Sequence, residues 1–450
     1  MGNKRVAIVG GGLTGLSAAV VLQSRGIEQE LFEHREEVGG AIRSESQDGW
    51  LLEYGPNTLL LKENDIADFL EQAGCGSLLV QANEESSKRF VVRNGRLMPV
   101  PMSPVSLIKS PLFSTGAKLR LLSEPFRGRT DAPDPTVAQF VEKRLGPEIL
   151  DYAVNPFVAG IYAGNPSQLS LRHTFPILHD LQQESPSLFI AGIKRALFKK
   201  QKSDQKRPRQ LVSFKGGIQQ LAATLAASAG RVHTGTSVTG IRKTLDGWQL
   251  QTPVGEREGF TDVLVTIPLH KWSRDLVPAT DAEMESIQSV QYPPLSVMHL
   301  GFRKQDVEHP LDGFGFLVPE AENRHVLGAL FSSTLFEGRA PDGHHLLTVF
   351  IGGARQPKLA QLESDRLFPI VMDELRDLIG VKDEPTLKEH VFWPQSIPQY
   401  HIGYDEVLQL FDQIEEREAG FHIAGNFRHG VSLPDCIRHG IRAAESIAGS

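Results

Sequence analysis

The sequence predicts an α/β protein whose first and last segments belong to one domain. At the start, Arg5–Val9 is a short β-branched run, glycines follow it, and apolar residues recur at helical spacing over Leu13–Ser24. At the end, Gly420–Ala424 reads as a strand, and glycines again lead into a helical pattern over Asp435–Ala448. Strand, tight turn and helix at both ends predict that distant parts of the chain meet in one domain.

The first turn carries the spacing of a dinucleotide-binding unit. Gly10, Gly12 and Gly15 form a G-x-G-x-x-G pattern, and Glu28–Glu33 reads as a second strand that ends in an acid. Gly10 permits the tight turn, Gly12 lets backbone approach a pyrophosphate, and Gly15 lets the helix pack on the strand. The helix N-terminus faces the phosphates, and Glu33 accepts hydrogen bonds from the ribose hydroxyls. This order predicts a Rossmann βαβ unit.

Composition bounds the remaining possibilities. The chain has 450 residues, 40% of them hydrophobic, which is enough for two or three lobes with large cores. Its net charge of -7 offers no basic field for nucleic acid, so we expect no nucleic-acid partner. Cys75 and Cys436 are the only cysteines, which indicates neither a disulfide framework nor a zinc site and favours a reducing compartment such as the cytoplasm. The N-terminal apolar run breaks at glycines, and no stretch reaches transmembrane length.

A second glycine pair distinguishes between nucleotide cofactors. Residues 38–43 read Val-Gly-Gly-Ala-Ile-Arg, and this segment resembles the flavin amine oxidase superfamily, which implies FAD as the cofactor. Arg43 is then the cation for the diphosphate. At the C-terminal helix, Pro434 suits the first turn and Ser432 is the candidate cap, so its N-terminus would stabilise negative charge on the flavin ring.

The middle of the chain returns to the same domain. A glycine pair precedes an alanine-rich helix, and Arg231–Ile241 and Val263–Pro268 read as strands. By resemblance, backbone at Val238 contacts the adenine, whereas the pattern alone gives only a half-buried strand. The full set of FAD contacts that we predict is Gly10, Gly11, Gly12, Leu13, Thr14, Gly15, Glu33, His34, Gly40, Ala41, Arg43, Gly55, Pro56, Asn57, Thr58, Val238, Trp393, Gly425, Asn426, Val431, Ser432 and Leu433.

Several further segments make the resemblance more specific. They are similar to the oxygen-dependent protoporphyrinogen oxidase family over nearly the whole chain. The segments with this similarity are 88–90 (Lys-Arg-Phe), 93–95 (Arg-Asn-Gly), 106–110 (Ser-Leu-Ile-Lys-Ser), 114–119 (Ser-Thr-Gly-Ala-Lys-Leu), 155–160 (Asn-Pro-Phe-Val-Ala-Gly), 164–166 (Gly-Asn-Pro) and 331–333 (Phe-Ser-Ser).

The resemblance implies a three-part architecture. It predicts a Rossmann-like FAD domain of the amine oxidase/p-hydroxybenzoate hydroxylase type, an α+β substrate domain on an antiparallel sheet, and a helical membrane-associating lobe. The predicted bounds are 1–85, 211–268 and 405–450 for the FAD domain, 86–210 for the helical lobe with substrate contacts, and 269–404 for the substrate domain.

The implied reaction is oxidation of protoporphyrinogen IX to protoporphyrin IX in haem synthesis, with oxygen as acceptor and hydrogen peroxide as by-product. Such a macrocycle needs apolar walls and a cation for its propionates. By resemblance, Leu317 and Leu330 pack around the rings, Phe350 stacks on one of them, and Arg89 pairs with a propionate. Asn57 corresponds to an asparagine near the reacting centre, and backbone at Gly160 approaches the macrocycle; no catalytic base is assigned.

Peripheral membrane binding and protein partners follow mainly from the same resemblance. Basic and apolar residues alternate over about Pro101–Leu122, and Ile193–Arg209 is rich in lysine and arginine, as in segments that lie on anionic bilayers. We therefore expect a cytoplasmic protein at the cytoplasmic membrane. Ferrochelatase or another haem-pathway enzyme, and a second copy of the chain, are the candidate protein partners.

Three other functions stay open at this point. Coproporphyrinogen III oxidation, which forms coproporphyrin III, differs in how many propionates the pocket must pair, so further cations near Arg89 would favour it. An FAD-dependent amine oxidase or carotenoid desaturase would keep both glycine motifs but lack the segments quoted above. A non-enzymatic binding protein on a degenerate flavin fold is disfavoured by intact Gly10, Gly12, Gly15 and Glu33.

Overall fold

The computed structural model describes residues 4–62, 64–128, 130, 132–185, 187–188 and 209–449, except the side chain of residue 429. The predicted basic segment Ile193–Arg209 lies outside these residues apart from Arg209 itself.

Within the described residues, the strands fall into one parallel sheet, one large, mostly antiparallel sheet and three small antiparallel ones. Their bounds are β1 Arg5–Val9, β2 Glu28–Phe32, β3 Ser44–Gln47, β4 Trp50–Glu53, β5 Leu59–Leu61, β6 Leu79–Gln81, β7 Phe90–Arg93, β8 Arg96–Pro99, β9 Gln210–Phe214, β10 Arg231–His233, β11 Gly240–Thr244, β12 Gly247–Thr252, β13 Gly255–Phe260, β14 Asp262–Val265, β15 Leu295–Arg303, β16 Gly315–Leu317, β17 Val326–Phe331, β18 His344–Gly352, β19 Leu387–Trp393 and β20 Phe421–Ile423.

Helices cover the sheets and build the lobe between them. Their bounds are α1 Leu13–Ser24, α2 Asn64–Gln72, α3 Pro104–Lys109, α4 Thr115–Leu122, α5 Val137–Arg144, α6 Pro147–Ile149, α7 Asn155–Tyr162, α8 Leu171–Thr174, α9 Pro176–Glu184, α10 Gln219–Ser228, α11 Asp281–Gln288, α12 Ser332–Leu335, α13 Pro357–Ala360, α14 Ser364–Ile379, α15 Tyr404–Arg417, α16 Asn426–His429 and α17 Leu433–Gly449.

The parallel sheet joins the beginning, middle and end of the chain in the order β10-β2-β1-β14-β20. Alternation along β1 buries both of its faces: Val6 and Ile8 pack with α1, α10 and α17, and Ala7 and Val9 pack with β12, β13 and α15. The predicted first strand and first helix have the bounds that the sequence indicated. The two chain ends, which the sequence places in one domain, share this sheet, because β14 pairs with both β1 and β20.

The large sheet has the order β19-β15-β18-β17-β16-β7-β8 within the described residues. One face is closed by α14, whose Leu367, Val371 and Leu375 pack against residues such as Met298 and Val349. The prediction that the helical lobe spans 86–210 is wrong for the first residues of this range, because β7 and β8 lie in the large sheet. The parallel pairing of β7 with β16 joins segments more than two hundred residues apart, which local pattern does not reveal.

The helical lobe is formed by α3 to α9, around a core that includes Phe113, Phe140 and Tyr162. Tyr400, which lies just before α15, belongs to the same cluster, so the lobe packs directly on the rest of the chain. No helix within the described residues is long and apolar enough to cross a bilayer.

The predicted strand Arg231–Ile241 is also wrong in its middle. The chain forms β10, turns at Gly235 with a φ of +61°, and starts β11 only at Gly240. Val238 lies in this irregular connection and is half-buried. The backbone N–H of Thr236 donates to the Glu33 carbonyl at 2.8 Å, so this connection lies beside the end of β2.

Candidate functional site

The first glycine turn has the geometry that a bound phosphate requires. Gly10 has a φ of +114°, and a Cβ atom on Gly15 would lie 2.1 Å from the Gly10 carbonyl oxygen. In contrast, a Cβ atom on Gly12 would meet no heavy atom within 4 Å. Gly12 is also the N-cap of α1 and has no side-chain cap, so the amides of the first turn face this open space.

Glu33 is held against the same turn. Its side chain is 3% exposed, and Oε2 accepts a hydrogen bond from the Gly11 N–H at 2.8 Å. The other oxygen accepts from the Arg35 N–H at 2.9 Å and lies 2.7 Å from Nδ1 of His34. The carboxylate is therefore fixed beside the turn, at the end of β2, where Rossmann folds bind a ribose.

The second glycine-rich segment packs onto the first. Gly40 has a φ of +62°, and a Cβ atom there would lie 3.2 Å from the Gly12 Cα atom. A Cβ atom on Gly55 would lie 1.9 Å from the Ala41 carbonyl oxygen. The structure thus brings these four predicted cofactor residues together at the mouth of the turn.

Arg43 follows this segment and already has two neighbours. Its Cζ atom lies 4.8 Å from the centre of the Tyr54 ring, and Nη2 lies 3.3 Å from Oε2 of Glu45. Trp393 fixes the same tyrosine by donating from Nε1 to its carbonyl oxygen at 2.9 Å. Arg43 is exposed, so a diphosphate would compete with Glu45 for the guanidinium.

The C-terminal return closes the other side of the turn. Tyr400 Oη accepts from the Gly430 N–H at 3.0 Å and donates to the Asn426 carbonyl oxygen, and Ser432 Oγ caps α17 by accepting from the Asp435 N–H at 3.3 Å. Farther along α17, a Cβ atom on Gly440 would lie 2.3 Å from the Thr14 carbonyl oxygen, so α17 packs tightly on α1. The remaining predicted residues of this connection are Gly425, Val431 and Leu433.

The loop after β4 carries the predicted contact with the reacting centre. Gly55, Pro56, Asn57 and Thr58 are all half-buried, and Asn57 Nδ2 donates to the Gly55 carbonyl oxygen at 3.0 Å. Asn57 also lines a small cavity together with residues of the large sheet. This loop therefore lies between the glycine turns and that sheet.

The predicted substrate residues share one face of the large sheet. Leu317 is paired with Gly328, Gly328 with Phe350, and Leu330 with Thr348. Because strand neighbours alternate between faces, all five residues point away from the α14 side. Leu317, Leu330 and Phe350 are only half-buried, so they form an apolar surface that is partly accessible.

Helix α7 covers part of this surface. A Cβ atom on Gly160 would lie 2.7 Å from Cδ2 of Leu317, so only glycine permits this approach without displacing the leucine. The preceding residue, Ala159, packs in a cluster with Leu327 and Phe350. The structure thus brings Gly160, Leu317 and Phe350 together.

Arg89 lies at the start of β7, where alternation puts it on the face of Val91 and Leu317. Its Cζ atom lies 5.2 Å from the centre of the Phe314 ring. The side chain is exposed and forms no ion pair within the described part of the chain. A substrate carboxylate could therefore bind it without displacing an internal partner.

A buried polar chain, which the sequence did not indicate, lies on this same face of the sheet, where His299 is paired with Thr348. His299 Nδ1 lies 3.2 Å from Oγ1 of Thr348, which lies 2.8 Å from Oγ of Ser332. Burial lowers the pKa of His299 to about 3, so the imidazole is neutral at physiological pH. Ser332 and Thr348 line the same cavity as Asn57, so these hydroxyls are among the polar groups that border it.

A buried ion pair borders the same cavity. Arg339 donates from Nη1 to Oε1 of Glu53 at 2.5 Å and from Nη2 to Oγ of Ser213 at 2.5 Å, and both charged side chains are 3% exposed. Burial raises the pKa of Glu53, although the Arg339 charge and the hydrogen bonds to this carboxylate oppose that rise. Glu53 ends an apolar strand, and this position could have predicted a buried acid. No pattern around Arg339 in the sequence indicated that it pairs with Glu53.

Together these features define a dinucleotide-dependent enzyme fold in which an apolar sheet face lies opposite the nucleotide turn. The family of flavin-containing amine oxidoreductases matches residues 13–448. The chain belongs to this family, and it is an FAD-dependent oxidoreductase.

Individual relatives cover nearly the whole chain. The chain is 34% identical to the mitochondrial protoporphyrinogen oxidase of Nicotiana tabacum, over 99% of this chain and 94% of that protein. It is 28% identical to the coproporphyrinogen III oxidase of Bacillus subtilis (strain 168), over 99% and 98% of the two chains. A crystal structure of an Exiguobacterium sp. 255-15 protein, provisionally designated a protoporphyrinogen oxidase, superposes with a TM-score of 0.82 at 25% identity and covers 99% of both chains.

Proposed function

We propose that this enzyme oxidises protoporphyrinogen IX to protoporphyrin IX in haem synthesis, with oxygen as electron acceptor and hydrogen peroxide as by-product. The observation that carries the proposal is the apolar sheet face with Leu317, Leu330 and Phe350, bordered by Arg89 and opposed by the loop of Asn57. The similarity to the tobacco protoporphyrinogen oxidase supports the same substrate.

Each group in this site has a specific task in the proposal. The leucines and Phe350 exclude water from an apolar macrocycle, and Arg89 orients it by binding a propionate. Bound FAD supplies the hydride acceptor, which the side chains cannot provide. The neutral His299 keeps the Thr348 and Ser332 hydroxyls in place at this face without adding a charge there.

The available cations favour protoporphyrinogen over coproporphyrinogen, which carries more propionates. Arg93 lies on the Arg89 side of the sheet, but it is paired with Glu148 at 2.6 Å. Arg355, near α7, donates to the Val318 carbonyl oxygen and to Asn155. Of these three arginines in the described chain, only Arg89 has no protein partner that a propionate would have to displace.

The direct test is an aerobic assay of the flavin-loaded protein with protoporphyrinogen IX and coproporphyrinogen III in parallel. Porphyrin fluorescence and peroxide release are followed against enzyme-free controls for spontaneous oxidation. Faster turnover of protoporphyrinogen supports the proposal. Preference for coproporphyrinogen would move the chain to that reaction, and turnover of neither would refute a tetrapyrrole substrate.

Replacing Arg89 with alanine should raise the KM for protoporphyrinogen IX by about ten- to a hundredfold, because a charged hydrogen bond contributes roughly 1.5–3 kcal/mol. Bound FAD should stay stoichiometric, since Arg89 is remote from the glycine turns. Arg257→Ala is the matched control and should leave the KM unchanged, because Arg257 is also exposed but lies in β13 of the small β11-β12-β13 sheet. A normal KM in the Arg89 variant would remove this residue from the site.

We also propose that the enzyme is a cytoplasmic protein that binds the surface of the cytoplasmic membrane through its helical lobe. The exposed apolar side chains of residues 102–126 support this, together with the basic residues Lys109, Lys118 and Arg120 among them. These exposed side chains are Met102, Val105, Ile108, Leu119, Leu122 and Phe126. Contacts with ferrochelatase, another haem-pathway enzyme or a second copy of the chain stay predictions.

Flotation with vesicles containing anionic lipid should recover the wild-type protein and should lose the double variant Ile108→Glu/Phe126→Glu, because each glutamate removes apolar area and adds repulsion. Leu245→Glu is the matched control, since Leu245 is at least as exposed as Ile108 and Phe126 but lies in the β11–β12 turn. Equal recovery of all three proteins would argue against the proposed surface.

A further inference from the structure

The structure holds α7 against the large sheet at both helix ends. At its C-terminal end, the Ala163 carbonyl oxygen accepts from the Ala354 N–H at 2.7 Å, just after β18. At its N-terminal end, the side chain of Asn155 binds two separate segments of the sheet, near the ends of β16 and β18. Between these ends, Gly160 lies against Leu317, so the two anchors determine the gap between helix and sheet.

The contacts of Asn155 require an amide. Its Oδ1 accepts from the Glu320 N–H at 3.0 Å and from Arg355 Nη2 at 2.9 Å, and its Nδ2 donates to Oε2 of Glu320 at 3.1 Å. Arg355 also donates from Nη1 to the Val318 carbonyl oxygen at 2.8 Å, one residue beyond Leu317. An aspartate could accept both hydrogen bonds but could not donate, and it would face the Glu320 carboxylate.

We propose that Asn155 is a positioning residue that sets the width of the cleft between α7 and the apolar sheet face, and thereby the affinity for the macrocycle. The proposal rests on the porphyrinogen oxidase function proposed above. Asn155 is 8% exposed and lies at the N-terminus of α7, so it acts through Gly160 and Leu317 rather than by touching the substrate. This role can be distinguished from simple packing, because the hydrogen-bond donor and acceptor can be exchanged between Asn155 and Glu320.

The reversal supplies the test. Asn155→Asp should lose the hydrogen bond to Glu320 and place two carboxylates together, whereas Asn155→Asp/Glu320→Gln should restore it with the amide on the other partner. Glu320→Gln alone should be close to wild type, because its amide oxygen can still accept from Asn155. Gln249→Ala, which also loses amide-to-carboxylate hydrogen bonds but lies in β12, is the matched control.

Porphyrin binding, amide hydrogen exchange and steady-state kinetics of the flavin-loaded proteins decide the matter. Binding of protoporphyrin IX, followed by fluorescence, should weaken by about tenfold in Asn155→Asp, roughly the effect of one lost hydrogen bond, and recover in the double variant. Amide hydrogen exchange over residues 155–162 should accelerate in the single variant alone. The KM for protoporphyrinogen should rise with binding, while kcat at saturation and FAD content stay constant.

The outcomes separate this inference from the proposed function. A wild-type protein that binds and oxidises no porphyrin would refute the function itself. If the wild type binds protoporphyrin but Asn155→Asp binds it equally well, or if the double variant does not recover, Asn155 does not set the cleft and the inference fails.

Discussion

Replacing Gly15 with alanine should yield a colourless protein of reduced stability. The added Cβ atom would lie 2.1 Å from the Gly10 carbonyl oxygen, which is backbone and cannot rotate away, so α1 must shift from β1. Overpacking of this kind costs about 1–3 kcal/mol. Displacement of α1 also disrupts the cluster of amides that would hold the diphosphate, so flavin absorbance per protein should fall to near zero.

Gly12→Ala should separate cofactor binding from folding. Its Cβ atom would project into space where no protein atom lies within 4 Å, and the φ of Gly12 is -72°, so the flavin-free protein should keep its stability within about 0.5 kcal/mol. The same methyl group would occupy the approach to the pyrophosphate, so FAD should be lost.

A third glycine completes this comparison. Gly116→Ala, in the first turn of α4, would place its Cβ 3.7 Å from Ser114 Oγ, an ordinary contact. This control should retain full flavin and equal or slightly higher stability, because alanine favours helix by about 0.5–1 kcal/mol. Visible absorbance of the purified variants and thermal unfolding of their flavin-free forms are the measurements. Stoichiometric flavin in Gly12→Ala would show that the diphosphate does not pass this residue.

The nucleotide domain was predictable because its signals are local. Each glycine of the first turn follows from one strand, one turn and one helix, and the bounds of β1 and α1 matched the sequence pattern. The strand-to-helix return at the C-terminus was visible for the same reason. The prediction failed where the local pattern was ambiguous. The pattern placed Val238 in a strand, but the chain turns before this residue, at Gly235, which has a positive φ.

The substrate side depends on pairings that no local pattern contains. The β7–β8 hairpin read as the start of the helical lobe, because its partner β16 comes more than two hundred residues later. Leu317, Leu330 and Phe350 were identified only by resemblance, and the register of three strands is what brings them to one face. Asn155 was visible within a similar motif, but its task follows from contacts with Glu320 and Arg355, far away in sequence.

Arg339→Ala should destabilise the protein by about 3–5 kcal/mol at neutral pH, the usual consequence of leaving one buried charge without its partner. Arg339 reaches from the segment after α12 to Glu53, at the end of β4, and to Ser213, in β9. Its carbonyl oxygen also accepts from the Leu51 N–H at 3.2 Å, so the same residue joins these segments beside the Asn57 loop. Arg376→Ala, which breaks exposed pairs with Asp373 and Glu384, is the control and should change stability by less than about 1 kcal/mol.

The loss of stability in Arg339→Ala should depend on pH in a defined direction. Burial already holds the pKa of Glu53 above its ordinary value, so this carboxyl stabilises the fold most when it is protonated and progressively less as the pH rises through its folded pKa. Without the guanidinium that pKa rises further, because one of the effects that oppose burial is gone. The loss in free energy of unfolding should therefore be largest at neutral pH and shrink as the pH falls toward about 4, near the ordinary pKa of glutamate.

Removing both charges should recover most of the lost stability. In Glu53→Leu/Arg339→Met no buried charge remains, and replacement of a buried ion pair by apolar side chains is often neutral for stability. Urea unfolding at two pH values measures the free energy of unfolding of the wild type, of Arg339→Ala and of the double variant. If the double variant is stable but binds FAD poorly or turns over slowly, then the ion pair serves the alignment of the Asn57 loop with the sheet rather than folding. The double variant could instead be as unstable as Arg339→Ala. That result would show that these segments are held together by the hydrogen bonds of Arg339 to Ser213 and of Ile218 to Glu53, and not by the charge pair.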